Sequence, residues 1–253
     1  MLVAERRELL VSRLRAEGKL VATELARELG VSEDSVRRDL RELAAAGLCQ
    51  RVYGGALPLA RALADYGTRR ELEPESKQRV AARAARLIRS GDRVILDGGT
   101  TTLAVVRALP PELTATVITH SPTIAAALVE HPGIETLVIG GRVYKHSAVT
   151  CGAAAAESAQ ALSADLFLLG VTGVHPREGL TTGDPEEAAM KRTLASRAAD
   201  TYVLASREKI GAAAPYTVLP LGEVAGVVTD TPGDDPTVRN LRRAGVTVIS
   251  AGS

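Results

Sequence analysis

The sequence predicts an α/β protein in two parts, a small helical domain at the N-terminus and a larger domain built on a mainly parallel sheet. Two observations carry this prediction. Apolar residues follow a helical period through residues 3–46, and beyond residue 75 short apolar runs alternate with helical segments. Between them, residues 58–74 lack a clean period and contain Pro58, Gly67 and Pro74. We therefore expect a first domain at 1–57, a linker at 58–74 and a second domain at 75–253.

The composition excludes several classes of protein. Of the 253 residues 45% are hydrophobic and the formal net charge is +1, so the chain is neither disordered nor fibrous. Two cysteines, Cys49 and Cys151, are too few for a disulfide framework, and the four histidines lack metal-binding spacing. The longest uncharged stretch, 113–129, is too polar to span a bilayer, and charges at 5–8 interrupt any signal peptide. We expect a cytoplasmic protein without metal, cofactor or membrane partner.

The first two helices follow from apolar spacing and glycine breaks. The first is predicted over residues 3–17 and ends at Gly18. Its apolar positions are Val3, Leu9, Leu10 and Leu14. After the short apolar piece at 19–21, a two-turn helix is predicted over Thr23–Leu29, and Gly30 ends it.

The third helix has the features of a DNA-reading helix. Ser32 is a suitable N-cap for a helix that runs to about Ala46 and ends at Gly47. Its inward positions are Val36, Leu40 and Leu43, and its polar side carries Ser35, Arg37, Arg38 and Arg41. Two short helices joined by a glycine-containing turn match a helix-turn-helix, and such an arginine face suits the major groove. A solvated charged face is the alternative, because residues 1–60 carry ten basic against nine acidic side chains.

These segments resemble the winged helix-turn-helix of the DeoR/GlpR family of bacterial transcriptional regulators. The resemblance rests on VSEDSVRRDL at Val31–Leu40, on Gly47-Leu48 and on RVYGGA at Arg51–Ala56. It implies that Ser32–Ala46 is the recognition helix and that Leu48–Gly55 is the wing. Operator DNA is then the expected partner, and the residues expected to contact it are Ser32, Ser35, Arg37, Arg38, Arg41, Arg51, Tyr53 and Gly54.

The second domain is predicted from seven apolar strands separated mainly by helical segments. The strands are expected at 93–97, 115–119, 136–139, 165–170, 201–205, 225–229 and 246–250. The helices are expected at 75–89, 103–108, 123–130, 153–162 and 185–199. Short apolar strands between helices indicate a mainly parallel sheet covered on both faces.

Polar residues follow these strands at the ends where parallel sheets bind ligands. The sharpest such segment is Asp97-Gly98-Gly99-Thr100-Thr101-Thr102, in which two glycines and three hydroxyls at a helix start can form an anion cradle. Others are Thr119-His120-Ser121, Gly140-Gly141 and the loop after Gly170. The first segment matches neither the Walker A loop nor GxGxxG, and a purely structural helix cap is the alternative interpretation.

Residues 75–232 resemble the sensor domain of the same family, which is similar to ribose-5-phosphate isomerase and related sugar-phosphate folds. The matching pieces include Lys77, LDGGTTT at Leu96–Thr102, THS at Thr119–Ser121, IGG at Ile139–Gly141, DLFLLG at Asp165–Gly170, Lys191 and KIG at Lys209–Gly211. Two positions depart from the family pattern. His120 stands where the family usually has Asn, and Ser206 stands where it usually has Asp.

The resemblance implies an effector site for a phosphorylated sugar. Its anion would be held by Lys77 with Gly99, Thr100, Thr101 and Thr102, assisted by Lys191 and Lys209. Asp97 and Asp165 would contact hydroxyls or hold loops. Further effector-binding candidates are Thr119, His120, Ser121, Gly140 and Gly141.

We therefore expect a transcriptional regulator that represses a carbohydrate operon. It should work as a homo-oligomer, either a dimer or a tetramer, because two half-sites need two reading helices. The alternative is a sugar-phosphate isomerase with an added domain. Isomerisation needs a positioned general base, and the isomerase pattern of clustered acids is missing here, although Glu186 and Glu187 are conceivable bases. A third possibility is a DNA-binding protein without a ligand. We expect no enzymatic activity.

Overall fold

The computed structural model describes residues 2–17, 19–46, 48–58 and 65–252. The predicted helix ends at Gly18 and Gly47, and part of the predicted linker, lie outside these residues. None of the helices within the described ranges is long and apolar enough to cross a membrane.

The N-terminal domain consists of three helices and a small antiparallel sheet. The helices are α1 (Val3–Glu17), α2 (Ala22–Leu29) and α3 (Glu33–Ala45), and the strands are β1 (Leu20–Val21), β2 (Gln50–Val52) and β3 (Gly55–Leu57). β3 lies between β1 and β2, and the β2–β3 hairpin is the wing. The structure confirms the predicted winged helix-turn-helix.

The core of this domain is the predicted apolar side of its helices. Its buried members include Leu10, Leu14, Leu25, Val36, Leu40 and Leu43. Gly30 ends α2 with a φ of +63°, a left-handed conformation that glycine adopts without strain. Val3 differs from the prediction, because it is 48% exposed at the first residue of α1.

A buried ion pair joins α3 to α1. The Asp39 side chain is only 1% exposed. Its carboxylate accepts from Arg6 Nε at 2.5 Å and from Arg7 Nε at 3.1 Å. A buried carboxylate requires such charged partners, so this contact fixes α3 against α1.

The predicted linker is partly helical. Asp65 caps α4 (Tyr66–Glu71) by accepting the backbone N–H of Thr68 at 3.0 Å. α5 (Pro74–Ala85) begins at Pro74, which the sequence analysis treated as a sign of a linker. Proline is favoured at the first helical position, where its missing N–H costs no hydrogen bond.

Twelve strands follow. They are β4 (Arg93–Leu96), β5 (Ala115–Thr119), β6 (Ile134–Val138), β7 (Arg142–Tyr144), β8 (Val149–Cys151), β9 (Ala164–Gly170), β10 (Gly173–His175), β11 (Gly179–Thr182), β12 (Ala198–Leu204), β13 (Tyr216–Leu219), β14 (Gly226–Thr229) and β15 (Val248–Ser250). Seven of them form one parallel sheet in the order β15-β14-β12-β9-β4-β5-β6. The other five form two small antiparallel sheets, β7–β8 and β10–β11–β13, which the sequence did not predict.

Helices cover both faces of the parallel sheet. They are α6 (Thr100–Arg107), α7 (Pro122–Leu128), α8 (Ala153–Gln160), α9 (Pro185–Ala195) and α10 (Pro236–Arg243). Alternate residues of each strand enter opposite cores, so Val94 and Leu96 pack on the side of α5, α6 and α7, whereas Ile95 packs on the side of α8 and α9. Burial on both faces explains why the central strands β4 and β9 are almost continuously apolar, with Arg93 and Asp165 exposed near their beginnings.

The chain order of the sheet reverses between β4 and β9. From β4 the chain continues through β5 and β6 on one side, and from β9 it continues through β12, β14 and β15 on the other. The loops that leave these two neighbouring strands therefore diverge to opposite sides. Ligands of open parallel sheets bind in the crevice that this divergence creates beyond the carboxyl ends of the strands.

Candidate functional site

The recognition helix presents its predicted arginines to solvent. Ser32 caps α3, and its Oγ accepts the backbone N–H of Ser35 at 3.2 Å. Because Val36 and Leu40 are buried on the inner side, the outer side exposes Arg37, Arg38 and Arg41. This face can present guanidinium groups to base edges and phosphates.

The wing lies beside this helix. Arg51, Tyr53 and Gly54 are exposed in and beside the β2–β3 turn, and Tyr53 is fully exposed. Arg37 lines the same shallow cleft as these three residues. Its Nη2 lies 2.5 Å from Glu33 Oε1, but exposed pairs of this kind contribute little stability, so the guanidinium can be released to a new partner.

The predicted anion turn lies at the crevice between β4 and β9. Gly99 precedes α6 with a φ of +124°, a conformation that L side chains rarely adopt. At Gly98 a Cβ atom would lie 2.0 Å from Val149 Cγ1, so close packing there requires glycine. Among the described residues, no side chain caps the N-terminus of α6, and the first backbone N–H groups and the dipole of this helix suit an anion.

Asp97 is the buried centre beneath this turn. Its side chain is fully buried and accepts from Gly98 N and Gly170 N at 2.8 Å each, from His120 Nε2 at 2.7 Å and from Lys191 Nζ. Burial opposes ionisation of this carboxyl, but Lys191 and His120 outweigh it and lower the Asp97 pKa to about 2. The ionised carboxylate thus joins the ends of β4 and β9.

His120, one of the two departures from the family pattern, contacts the Asp97 carboxylate. Its Nδ1 lies 3.0 Å from the carbonyl oxygen of Thr150, and its Nε2 faces the Asp97 carboxylate. Thr119 and Ser121 are also fully buried, and they donate to the carbonyl oxygens of Leu96 and Ala148. All three predicted residues therefore hold strand ends in place.

Four cationic side chains line the crevice: Arg69, Lys77, Lys191 and Lys209. Lys209 Nζ donates to Thr101 Oγ1 at 3.2 Å, and burial lowers the Lys209 pKa to about 8. Burial also lowers the Lys77 pKa, and Lys77 Nζ donates to the carbonyl oxygens of Arg69 and Leu72 at the end of α4.

Lys191 is placed differently from the other lysines. Its ammonium contacts Asp97 Oδ2, Gly170 O at 3.0 Å and Glu187 Oε1 at 3.3 Å. Burial disfavours its charge, but Asp97 and Glu187 outweigh that effect and raise the Lys191 pKa. Three acceptors occupy the three donors of the ammonium. Lys191 therefore acts as the counter-ion of Asp97.

Seven predicted effector residues are not among the residues that line the crevice: the buried Asp97, Thr119, His120 and Ser121, and also Gly140, Gly141 and Asp165. Gly140 and Gly141 are exposed beyond β6, two strands away from β4. Asp165 is exposed and accepts the backbone N–H of Arg93 at 2.8 Å. It lies at the opposite edge of the sheet from Asp97, because Asp165 is near the beginning of its strand whereas Asp97 follows the end of one.

Several residues of the crevice are not predicted by the sequence. They are Arg69, Leu72, Thr172, Thr182 and Glu208, together with Glu187, which had been considered only as a base. Glu187 is 6% exposed and accepts from Thr182 Oγ1 at 2.9 Å. Glu208 is the neighbour of Lys209 in sequence, so its position beside a predicted effector-binding residue was the available signal.

Both parts of the chain match known families. Residues 6–61 match the family described as the DeoR-like helix-turn-helix domain, and residues 72–231 match the family described as the DeoR C-terminal sensor domain. Together the two matches cover most of the chain.

Curated proteins are similar along nearly the whole length. A putative aga operon transcriptional repressor from Escherichia coli O157:H7 is 31% identical over 98% of this chain and 94% of that protein. The HTH-type transcriptional regulator GlpR from Haloferax volcanii is 32% identical over 98% of each. The HTH-type transcriptional repressor GlcR from Bacillus subtilis is 30% identical over 93% of this chain and 92% of that protein.

Solved structures are similar at lower identity. Ribose 5-phosphate isomerase A from Methanocaldococcus jannaschii is 18% identical, with 54% of each chain covered and a TM-score of 0.41. Translation initiation factor eIF-2B from Pyrococcus horikoshii OT3 is 18% identical, with 61% of this chain and 62% of that chain covered and a TM-score of 0.44.

Proposed function

The chain belongs to the DeoR family of DNA-binding transcriptional regulators, and from this premise we propose that it is a repressor whose effector is a phosphorylated sugar bound in the crevice beside α6. The proposal covers the effector, its site, the repressing action and the oligomeric state. The relatives named as repressors support the direction of control. The relative named for the aga operon supports an operon as its target.

The observation that carries the proposal is the contact between Lys209 and the turn at α6. Lys209 Nζ donates to Thr101 Oγ1 at 3.2 Å, where Lys77 and Arg69 line the same crevice. Glu208 and Glu187, which line the same crevice, offset only part of this positive charge. A phosphate group would balance the remaining positive charge and accept from the first N–H groups of α6.

A sugar fits the crevice better than a nucleobase. Threonine hydroxyls and carboxylates line it, among them Thr172, Thr182 and Glu187, and no aromatic ring lies among its described lining residues. A nucleobase is commonly held by stacking on a ring, whereas sugar hydroxyls need hydrogen-bonding partners of the kind present.

The regulatory action would require at least a dimer. Two recognition helices must reach two half-sites about one helical turn of DNA apart. An effector that changes the spacing of the two DNA-binding domains would then weaken operator binding. Differential affinity for the two spacings is the thermodynamic requirement for such control.

Calorimetry with sugars and their phosphate esters tests this function. Pentose and hexose phosphates should bind the wild-type protein, and the corresponding free sugars should bind much more weakly. Lys77→Ala and Thr101→Ala should each lower the affinity for the ester, because they remove a charge or a hydroxyl from the part of the crevice proposed to hold the phosphate. Equal affinity for sugar and ester, or unchanged binding by both variants, would contradict the proposed anion site.

A gel shift on the gene's own upstream DNA tests the repressor, and the bound ester should release the DNA. An isomerase assay on the same esters addresses the alternative function. Glu187, a conceivable base, already accepts from Thr182 and contacts Lys191, so we expect no turnover above the uncatalysed rate.

A further inference from the structure

Two buried side-chain atoms in the described part of the chain lack a hydrogen-bond partner: Arg69 Nε and Glu208 Oε2. Both side chains line the crevice beside α6, although they are 139 residues apart in sequence. One of these atoms is a donor and the other an acceptor. Unpaired buried polar atoms are costly, so their concentration in one crevice indicates that something else satisfies them.

The arginine is held so that its Nε remains available. Arg69 Nη2 donates to the carbonyl oxygen of His146 at 2.7 Å, and the guanidinium lies 5.7 Å from the ring centre of Tyr66. Lys77 Nζ donates to the backbone carbonyl of the same residue. Side chain and backbone of Arg69 are therefore both fixed by neighbours.

The glutamate is held in a similar way. Its Oε1 accepts from Ser206 Oγ at 2.7 Å, and Ser206 is fully buried. Its Oε2 has no partner in the described protein. Lys209 and Lys77 attract this carboxylate.

We propose that Arg69 and Glu208 are further effector-binding residues, with Glu208 accepting a hydroxyl of the sugar and Arg69 donating to a phosphate or hydroxyl oxygen. This rests on the proposed function, because it assigns specificity within the same crevice. A carboxylate repels a phosphate and cannot donate a hydrogen bond, so its natural complement is a hydroxyl donor. The effector therefore carries a hydroxyl group in addition to its phosphate.

Calorimetry with two probes tests the role of Glu208. The probes are methyl phosphate, an ester that carries no hydroxyl group, and the sugar phosphate that binds the wild type most tightly. Glu208→Gln should weaken the sugar phosphate about tenfold or more, because a charged acceptor is lost. It should leave methyl phosphate unchanged or bind it more tightly, because a negative charge is removed. Glu71→Gln, an exposed change on α4, is the matched control.

Arg69→Lys keeps the charge but removes the Nε–H donor. It should weaken the sugar phosphate at least fivefold, whereas Arg70→Lys, its exposed neighbour, should leave the affinity within twofold. Circular dichroism would verify that each variant folds.

The inference would be overturned if Glu208→Gln lost affinity for methyl phosphate and for the sugar phosphate to the same extent. It would also be overturned if Glu208→Gln and Arg69→Lys bound the sugar phosphate as tightly as their control variants do. The proposed function would survive that result, provided that Lys77→Ala still weakens the ester. If no sugar phosphate binds the wild type, the proposed function and this inference are both wrong.

Discussion

Asp97→Asn should destabilise the second domain severely, although the two side chains have almost the same shape. Asp97 is fully buried and accepts hydrogen bonds from two backbone amides, from His120 and from Lys191. An asparagine offers one oxygen and places an NH₂ group against donors. The substitution also leaves the Lys191 ammonium buried with Glu187 as its remaining charged partner.

The magnitude follows from the burial of the pair. Removing one partner of a buried ion pair costs about 3–5 kcal/mol, because the other charge remains desolvated. For a domain of this size each kcal/mol lowers Tm by roughly 2–4 °C. We therefore expect the transition of the second domain to fall by about 6–20 °C, as the product of these two ranges.

Differential scanning calorimetry on the full chain at pH 7 measures this change. Asp234→Asn is the matched control, since Asp234 is exposed, and it should stay within about 0.5 kcal/mol of the wild type. A Tm of Asp97→Asn within one or two degrees of the wild type would refute the view that Asp97 joins the ends of β4 and β9.

The ionisation of Asp97 also makes the stability of the fold depend on pH in acid. The folded-state pKa of Asp97 is about 2, below its ordinary value of 3.8. The stability that this ionisation supplies is therefore present above pH 4 and is lost as the pH falls towards 2. Asp97→Asn should lack that contribution, so its stability should depend less on pH over this interval. An unchanged acid limb would contradict the assignment.

Three further predictions concern the DNA-binding face, the ligand crevice and the turn. Arg37→Ala and Arg38→Ala should each weaken operator binding by about 1–3 kcal/mol in fluorescence anisotropy if a bidentate base contact is lost, and unchanged affinity in both would sink the recognition-helix assignment. Because burial lowers the Lys209 pKa to about 8, a bound dianion should raise it, so ester binding at pH 8 should take up protons; identical binding enthalpies in buffers of different ionisation enthalpy would argue against this. Gly98→Ala should lower Tm and ester affinity together, since its Cβ would lie 2.0 Å from Val149 Cγ1; a variant as stable as the wild type would show that the turn tolerates a side chain.

The local pattern of the sequence was sufficient to predict those helices and strands whose structure depends on one continuous segment. Each strand of the parallel sheet was expected within a few residues of its observed position, because an apolar run between two helical segments has few other structures available. The Gly-Thr turn before α6 was also expected, since two glycines and three threonines after a strand are typical of the start of a helix. The small antiparallel sheets were missed because their strands are short and mixed in polarity, as at β7 and β10.

The strand order decided which of the polar loops form one crevice. Thr119-His120-Ser121 and Gly140-Gly141 resemble the anion turn in sequence, but only the loops after β4 and β9 flank the reversal of the sheet. Asp165 could have been set aside from the sequence, because a residue that opens a parallel strand lies opposite the ligand edge.

What the sequence by itself determined is the family, the fold class and the segment that starts α6, all of which depend on contiguous residues. Only the tertiary structure showed that Arg69, in a segment that reads as a linker, lines the same crevice as Glu208 and Lys209. Burial is the physical reason for the difference. Whether a charged side chain is solvated or left with an unpaired polar atom depends on packing between distant elements, and no local period records that packing.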